Sequence, residues 1–222
     1  MCVQGESAGG LAATTALFLN ADKVSGTKTS ISVALLRYPM IEHYVRDTTG
    51  MNEFVYMGET FSRREIEEQA DKMQDAIAAL EISGYLPTRV RSDAPQYMCA
   101  SFLLSFLGRW KGSFQRQHEG AGDGDWLDNM DGLERAERSV DRVEHAYLPP
   151  VYMYHGKQDV NCKVEKTLEF ERILREKYGG RYYYGTIRTR AVEGMGHGFD
   201  YELELEGNEF LSETYADIDR YW

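Results

Sequence analysis

Six residues at the start of the chain, Gly5-Glu6-Ser7-Ala8-Gly9-Gly10, set a serine among glycines at the spacing G-x-S-x-G. That spacing describes a nucleophile elbow, a sharp strand-to-helix turn that holds a serine hydroxyl out for attack on a carbonyl carbon. The turn strains the serine backbone, and the flanking glycines are expected because a Cβ beside it would clash. A serine hydroxyl is a weak nucleophile at neutral pH and needs a general base within hydrogen-bond reach. The base is normally a histidine, kept in one tautomer by a buried carboxylate. The chemistry implied is acyl transfer through an acyl-serine.

The partners follow along the chain in the order serine, then aspartate or glutamate, then histidine, each on a loop after a strand. His197 lies in Glu193-Gly194-Met195-Gly196-His197-Gly198-Phe199-Asp200, just after a strand-like run over 182–192. The three glycines around it predict a backbone bent to present a side chain. Asp159 lies in His155-Gly156-Lys157-Gln158-Asp159, just after a strand predicted over 151–154. Asp200 and Glu193, close to His197 in sequence, are the alternatives for the acid. His43, His118, His145 and His155 are scattered and read as surface or turn residues. The N–H of Ala8, at the start of a helix and favoured by its dipole, is the oxyanion donor that the motif itself offers.

These residues need a scaffold, and the two ends of the chain supply its signals. Leu11 to Leu19 reads as a helix apolar on nearly every side, hence buried. Ile31 to Leu36 is a short strand closed by Tyr38-Pro39. Val164 to Tyr178 is an amphipathic helix stopped by Gly179-Gly180, and Asn208 to Tyr221 suits a terminal helix. Strands alternating with helices imply an α/β fold, a mostly parallel sheet with helices on its faces.

Between Pro39 and Leu148 the alternation breaks. Ser62 and Glu65 form a capping box, followed by a helical stripe of Ile66, Ala70, Met73, Ile77 and Leu80. Tyr97 to Trp110 reads as a second helix, Ser113 to Gly132 as a polar, glycine-rich loop, and Leu133, Ala136, Val140 and Val143 as one face of a third helix. The span 40–148 is therefore expected to be a helical cap inserted in a single domain covering 1–222. Phe102, Leu103, Phe106 and Leu107 either line an acyl pocket or form the cap's own core. Trp126 is either a lid anchor or a locally packed residue.

Composition narrows the partners. The chain has 222 residues, 42% of them hydrophobic, enough for a real core. With 25 basic and 36 acidic residues its formal net charge is −11, which argues against nucleic acid. No stretch of about eighteen apolar residues offers a membrane span. Cys2, Cys99 and Cys162 are odd in number and too sparse for a disulfide framework, so a reducing, cytoplasmic location is expected. Neither metal-ligand spacing nor a phosphate-binding glycine loop is present, and no cofactor or metal is expected.

The constellation resembles the α/β-hydrolase fold and, within it, the hormone-sensitive-lipase-like esterases. Their elbow is typically Gly-Asp-Ser-Ala-Gly-Gly, one conservative change from residues 5–10 here. Their acid loop resembles residues 155–159, and their histidine loop resembles Gly196-His197-Gly198-Phe199. The resemblance implies Ser7 as nucleophile, Asp159 as acid and His197 as base, acting on a small carboxylic ester. It covers the ends of the chain well and the span 40–148 poorly. Members of the family carry a His-Gly-Gly segment upstream of the elbow whose N–H groups complete the oxyanion hole. Only four residues precede Gly5, so this chain is expected to be a partial fold, truncated at its start. Loss of a donor costs roughly 10²–10³ in rate. A truncated or non-catalytic relative, acting as an interaction module, is the alternative.

Overall fold

A computed structural model of the chain describes residues 1–21, 30–42, 50–56, 59–68, 70–72, 75, 107–109, 132–139, 148–178, 186–201 and 207–221. In chain order the strands are β1 (Cys2–Glu6), β2 (Val33–Arg37), β3 (Glu53–Tyr56), β4 (Glu59–Ser62), β5 (Val151–Gly156) and β6 (Ile187–Val192). The helices are α1 (Gly9–Ala21), α2 (Gly132–Ser139), α3 (Val164–Tyr178) and α4 (Glu209–Tyr221). The chain divides into two compact units, Met1–Glu42 with Met130–Trp222, and His43–Asn129.

The first unit is built on an open sheet in the order β1-β2-β5-β6, with every neighbouring pair parallel. The register runs Cys2 beside Val33, Ala34 beside Val151, and Val151 beside Ile187. All residues of β5, and those of β2 up to Leu36, are buried. Continuous apolar runs of this kind are what a sheet covered on both faces requires. Successive side chains alternate between the faces. Ala34, Leu36, Val151, Met153 and Ile187 pack with Leu17 and Phe18 of α1, Leu133 and Ala136 of α2, and Phe170, Ile173 and Leu174 of α3. Val33, Leu35 and Tyr152 pack on the opposite face with Phe210, Tyr215 and Ile218 of α4. The expected α/β architecture, a parallel sheet with flanking helices, is therefore the one the chain adopts.

Two elements differ from expectation. α1 is buried along one stripe, Ala13, Thr14, Leu17 and Phe18, while Ala12 is exposed. Small residues on the outer side reconcile an apolar sequence with a helix lying on a sheet. α2 begins at Gly132, at the end of the run read as a loop, where the Gly132 N–H donates to the Ile41 carbonyl at 2.7 Å. α3 has the bounds that the sequence gives, with Glu165 in its first turn and Arg175 and Lys177 in its last, complementing the helix dipole.

The second unit contains a hairpin that the sequence reading did not foresee, β3 against β4 with Tyr56 beside Glu59. Each strand has four residues, at the short end of what alternation reveals. The capping box forms: Glu65 accepts from the Ser62 N–H at 2.8 Å, and its own N–H donates to the Ser62 hydroxyl at 3.3 Å. Residues 63–68 are helical, and Ile66 and Ala70 are buried. Leu107 to Arg109, read as the end of a helix, form a turn in which Gly108 has φ 65°. Met73, Ile77, Leu80, Phe102, Leu103, Phe106, Trp126, Val140 and Val143 lie outside the described residues. Among the described residues no helix is long and apolar enough to cross a membrane.

Candidate active site

The site is assembled at the carboxyl ends of the parallel strands. β1 ends at Glu6, and Ser7 turns sharply with φ 50° before α1 begins at Gly9. A non-glycine residue with positive φ is sparsely populated and is kept only where its surroundings fix it. The Ser7 N–H donates to the Arg37 carbonyl at 3.2 Å, and the Ser7 carbonyl accepts from Gly10 at 2.9 Å and Met40 at 2.8 Å. A Cβ on Gly5 would sit 2.6 Å from that of Ala13, and one on Gly10 would sit 2.6 Å from Pro39 Cβ. Gly9 has open space, with nothing within 4 Å of a Cβ built there. Packing at the elbow thus demands Gly5 and Gly10, and the expectation for the glycine two places after Ser7 does not hold. Ala8 is exposed at the head of α1, and its N–H makes no hydrogen bond among the described residues.

Asp159 follows β5 and is buried. Its Oδ1 accepts the N–H groups of Asn161 at 2.8 Å and Cys162 at 2.9 Å. Its Oδ2 faces His197 Nδ1 at 2.7 Å and His155 Nε2 at 3.2 Å. Burial, the largest single influence, opposes ionisation of this carboxyl. It is outweighed by hydrogen bonds from His155, His197 and the Cys162 N–H, so the group is held well below the usual carboxylate range.

His155 is not the surface or turn residue expected. It is the penultimate residue of β5 and fully buried, because both ring nitrogens are satisfied. Its Nε2–H donates to the Cys162 carbonyl at 2.8 Å, and its Nδ1 accepts from the Thr167 hydroxyl at 2.9 Å. A fully buried strand with a histidine near its end was the only sequence signal for this.

His197 follows β6 on a loop where Gly194 and Gly198 have φ 76° and 69°. The loop lies on the end of β5: the Gln158 N–H donates to the Met195 carbonyl at 2.9 Å, and a Cβ on Gly156 would collide with that carbonyl. His197 Nε2 stands 2.9 Å from Ser7 Oγ. Since Asp159 Oδ2 can only accept when ionised, His197 carries its proton on Nδ1 and leaves Nε2 free to accept from the serine hydroxyl. The three residues singled out by sequence, Ser7, Asp159 and His197, are thus joined in one hydrogen-bonded chain. The alternatives face elsewhere. Glu193 is exposed and bonds Lys157 at 2.8 Å and Gln158 at 2.9 Å, whereas Asp200 bonds Arg37 Nε at 2.7 Å.

The sequence reading missed the surroundings of His197. Tyr38 is fully buried with φ 35°, and its ring meets the imidazole edge-on at 4.9 Å between centroids. Burial pushes its phenol far above the ordinary value, aided by a hydrogen bond with Tyr201 and the nearby Asp200 carboxylate. Arg37 Nη1 meets Glu6 Oε1 at 2.6 Å. Ser7, Asp159 and His197 follow β1, β5 and β6 in turn, the chain order serine, carboxylate, histidine of the α/β-hydrolase fold.

No protein-family model matches the chain, and no curated protein matches it. Among solved structures it is similar to esterase B from Lactobacillus Rhamnosis, at 14% identity over 99% of this chain and 52% of that one, with a TM-score of 0.49. It is similar to an esterase from Mycobacterium marinum at 14% identity, over 100% of this chain and 50% of that one, with a TM-score of 0.48. For an esterase from Pyrococcus furiosus the values are 15% identity, 99% and 53% coverage, and a TM-score of 0.44. The chain spans about half the length of each of these proteins.

Proposed function

We propose that this protein is a serine hydrolase acting on small carboxylic esters through Ser7, His197 and Asp159. The observation that carries the reading is the continuous contact from Ser7 Oγ to His197 Nε2 at 2.9 Å and from His197 Nδ1 to Asp159 Oδ2 at 2.7 Å, with Ser7 held at φ 50°. His197 Nε2 takes the hydroxyl proton as Ser7 Oγ bonds to the ester carbonyl carbon. The electron pair of the carbonyl moves to its oxygen, which points at the Ala8 N–H. As the tetrahedral species collapses, the imidazolium returns the proton to the leaving alcohol, and an acyl-serine remains. Water then repeats the sequence, releasing the acid and restoring the serine. Asp159 stays ionised throughout and stabilises the imidazolium. Each proton and electron pair is supplied by the three side chains, the ester and water.

Span 40–148 is proposed as an inserted cap region. The test is labelling of the purified chain with a fluorophosphonate, located by mass spectrometry, with Ser7→Ala as control. Label on Ser7 that is absent from the variant supports the reading. Folded protein that takes no label at Ser7 refutes it.

A further inference from the structure

We propose that Arg37 is a positioning residue that braces the histidine loop against the elbow and so sets the approach of His197 to Ser7. The need for a brace follows from the order of the strands. Ser7 follows β1 and His197 follows β6, with β2 and β5 between them. Three strand spacings separate the two chain ends by about 14 Å. The imidazole nonetheless reaches Ser7 Oγ at 2.9 Å, so the loop after β6 must run back across the ends of β5 and β2. Over β5 it is held by backbone bonds, Lys157 N–H to the Val192 carbonyl and Gln158 N–H to that of Met195, both at 2.9 Å. Over β2 it is held by Arg37.

Arg37 is the last residue of β2 and makes three ties. Its carbonyl accepts the Ser7 N–H, its Nη1 donates to Glu6 Oε1 at 2.6 Å, and its Nε donates to Asp200 Oδ2 at 2.7 Å. Glu6 immediately precedes the serine, and Asp200 lies three residues beyond the histidine, so one guanidinium spans both loops. The Asp200 side chain is fully buried, and its second oxygen finds no hydrogen-bond partner among the described residues. Glu6 is additionally held by Gln4 at 3.0 Å and by the Tyr38 hydroxyl at 3.3 Å. Hydrophobic residues could fill such a place without the desolvation cost of buried charges, whereas a forked ion pair fixes register. Neutralising Asp200 needs only a positive charge. Joining residues 6 and 200 needs the fork.

That distinction makes the test. The inference rests, for its kinetic readout, on the hydrolase reading above. Arg37→Lys keeps the charge and loses the two-ended geometry. It should fold, and its Ser7 should react with fluorophosphonate on the order of 10²-fold more slowly, the effect of a misplacement of about 1 Å. With 4-nitrophenyl acetate kcat should fall while KM stays within about twofold, since binding is untouched. The low-field proton NMR signal of His197 Nδ1–H, present in the parent, should broaden or vanish. If Arg37→Lys does not fold, the pair Arg37→Gln with Asp200→Asn removes both buried charges together and should show the same losses. A folded variant of either kind that labels at the parental rate and keeps the low-field signal overturns the proposal. If the parent itself takes no label, the hydrolase reading fails and the NMR comparison decides alone: signal lost in the variant supports the brace, and signal kept refutes it. A parent lacking that signal overturns both.

Discussion

Replacing Asp159 with Asn is the sharpest perturbation of this site, because every polar contact of the carboxylate constrains what an amide could do there. Oδ1 accepts two backbone N–H groups, from Asn161 at 2.8 Å and Cys162 at 2.9 Å, so the amide oxygen must take that side. The amide NH₂ is then driven toward His197 Nδ1 and His155 Nε2, which face Oδ2 at 2.7 and 3.2 Å. His155 Nε2 cannot give up its proton cheaply, since it also serves the buried Cys162 carbonyl at 2.8 Å. His197 can: its Nδ1 becomes an acceptor and its Nε2 takes the proton, turning a donor toward Ser7 Oγ. The base is then in the wrong tautomer, a change that lowers turnover by about 10⁴, or ~5.4 kcal/mol of activation free energy. The assay is the rate of Ser7 phosphonylation, with hydrolysis of 4-nitrophenyl acetate beside it, on variants shown to be folded. Glu193→Gln, at an exposed carboxylate turned to Lys157 and Gln158, should leave both rates unchanged. Folded Asp159→Asn within about tenfold of the parent would refute the tautomer argument.

Three further outcomes follow, two from packing and one from linkage. Gly10→Ala places a methyl 2.6 Å from Pro39 Cβ and 2.8 Å from its Cα, and should lower stability by about 1–3 kcal/mol in urea unfolding, as overpacking does. Gly9→Ala meets nothing within 4 Å and begins a helix, so it should be neutral or stabilising by up to about 1 kcal/mol. Asp159 has a lower pKa folded than unfolded, so the unfolded chain binds its proton more tightly and acid favours unfolding. Its contribution is complete above the ordinary carboxylate value near 4 and is lost as pH falls through that value toward the depressed one. The stability gap between parent and Asp159→Asn, measured in urea at about pH 6 and about pH 3, should therefore narrow at the lower pH.

Much of the first unit is legible because its signals are local. Val164 to Tyr178 declares both ends, with Gly179-Gly180 after it, and the structure keeps those bounds. The strands of 151–156 and 33–37 are nearly continuous apolar runs, which leaves their identity plain and their ends loose by two residues. The elbow is legible as well, since G-x-S-x-G-G requires a strand, a turn and a helix within a dozen residues. β3 and β4 were not, because four-residue strands carry too few alternations to compete with a helical reading of their surroundings. His155 was misread for a different reason. A histidine before a glycine at a strand end looks like a turn residue until the fold supplies the Thr167 hydroxyl and the Cys162 carbonyl that let it be buried.

What sequence distance conceals is the order of the strands, and the two carboxylates competing for His197 show why. Asp200 is three residues from the histidine and Asp159 is thirty-eight, yet His197 Nδ1 bonds Asp159. β5 is the hydrogen-bonded neighbour of β6, so the loops leaving both strands emerge side by side, whatever the length of chain between them. Asp200 turns instead to Arg37, at the end of β2. In the sequence that arginine is an ordinary polar residue closing the apolar run Val33-Ala34-Leu35-Leu36. It acquires a role only because β2 lies between the serine strand and the acid strand. The same placement explains why Tyr38 holds an unfavourable φ of 35°: the residue after Arg37 must swing its ring onto His197 while its N–H donates to the Tyr154 carbonyl at 2.6 Å.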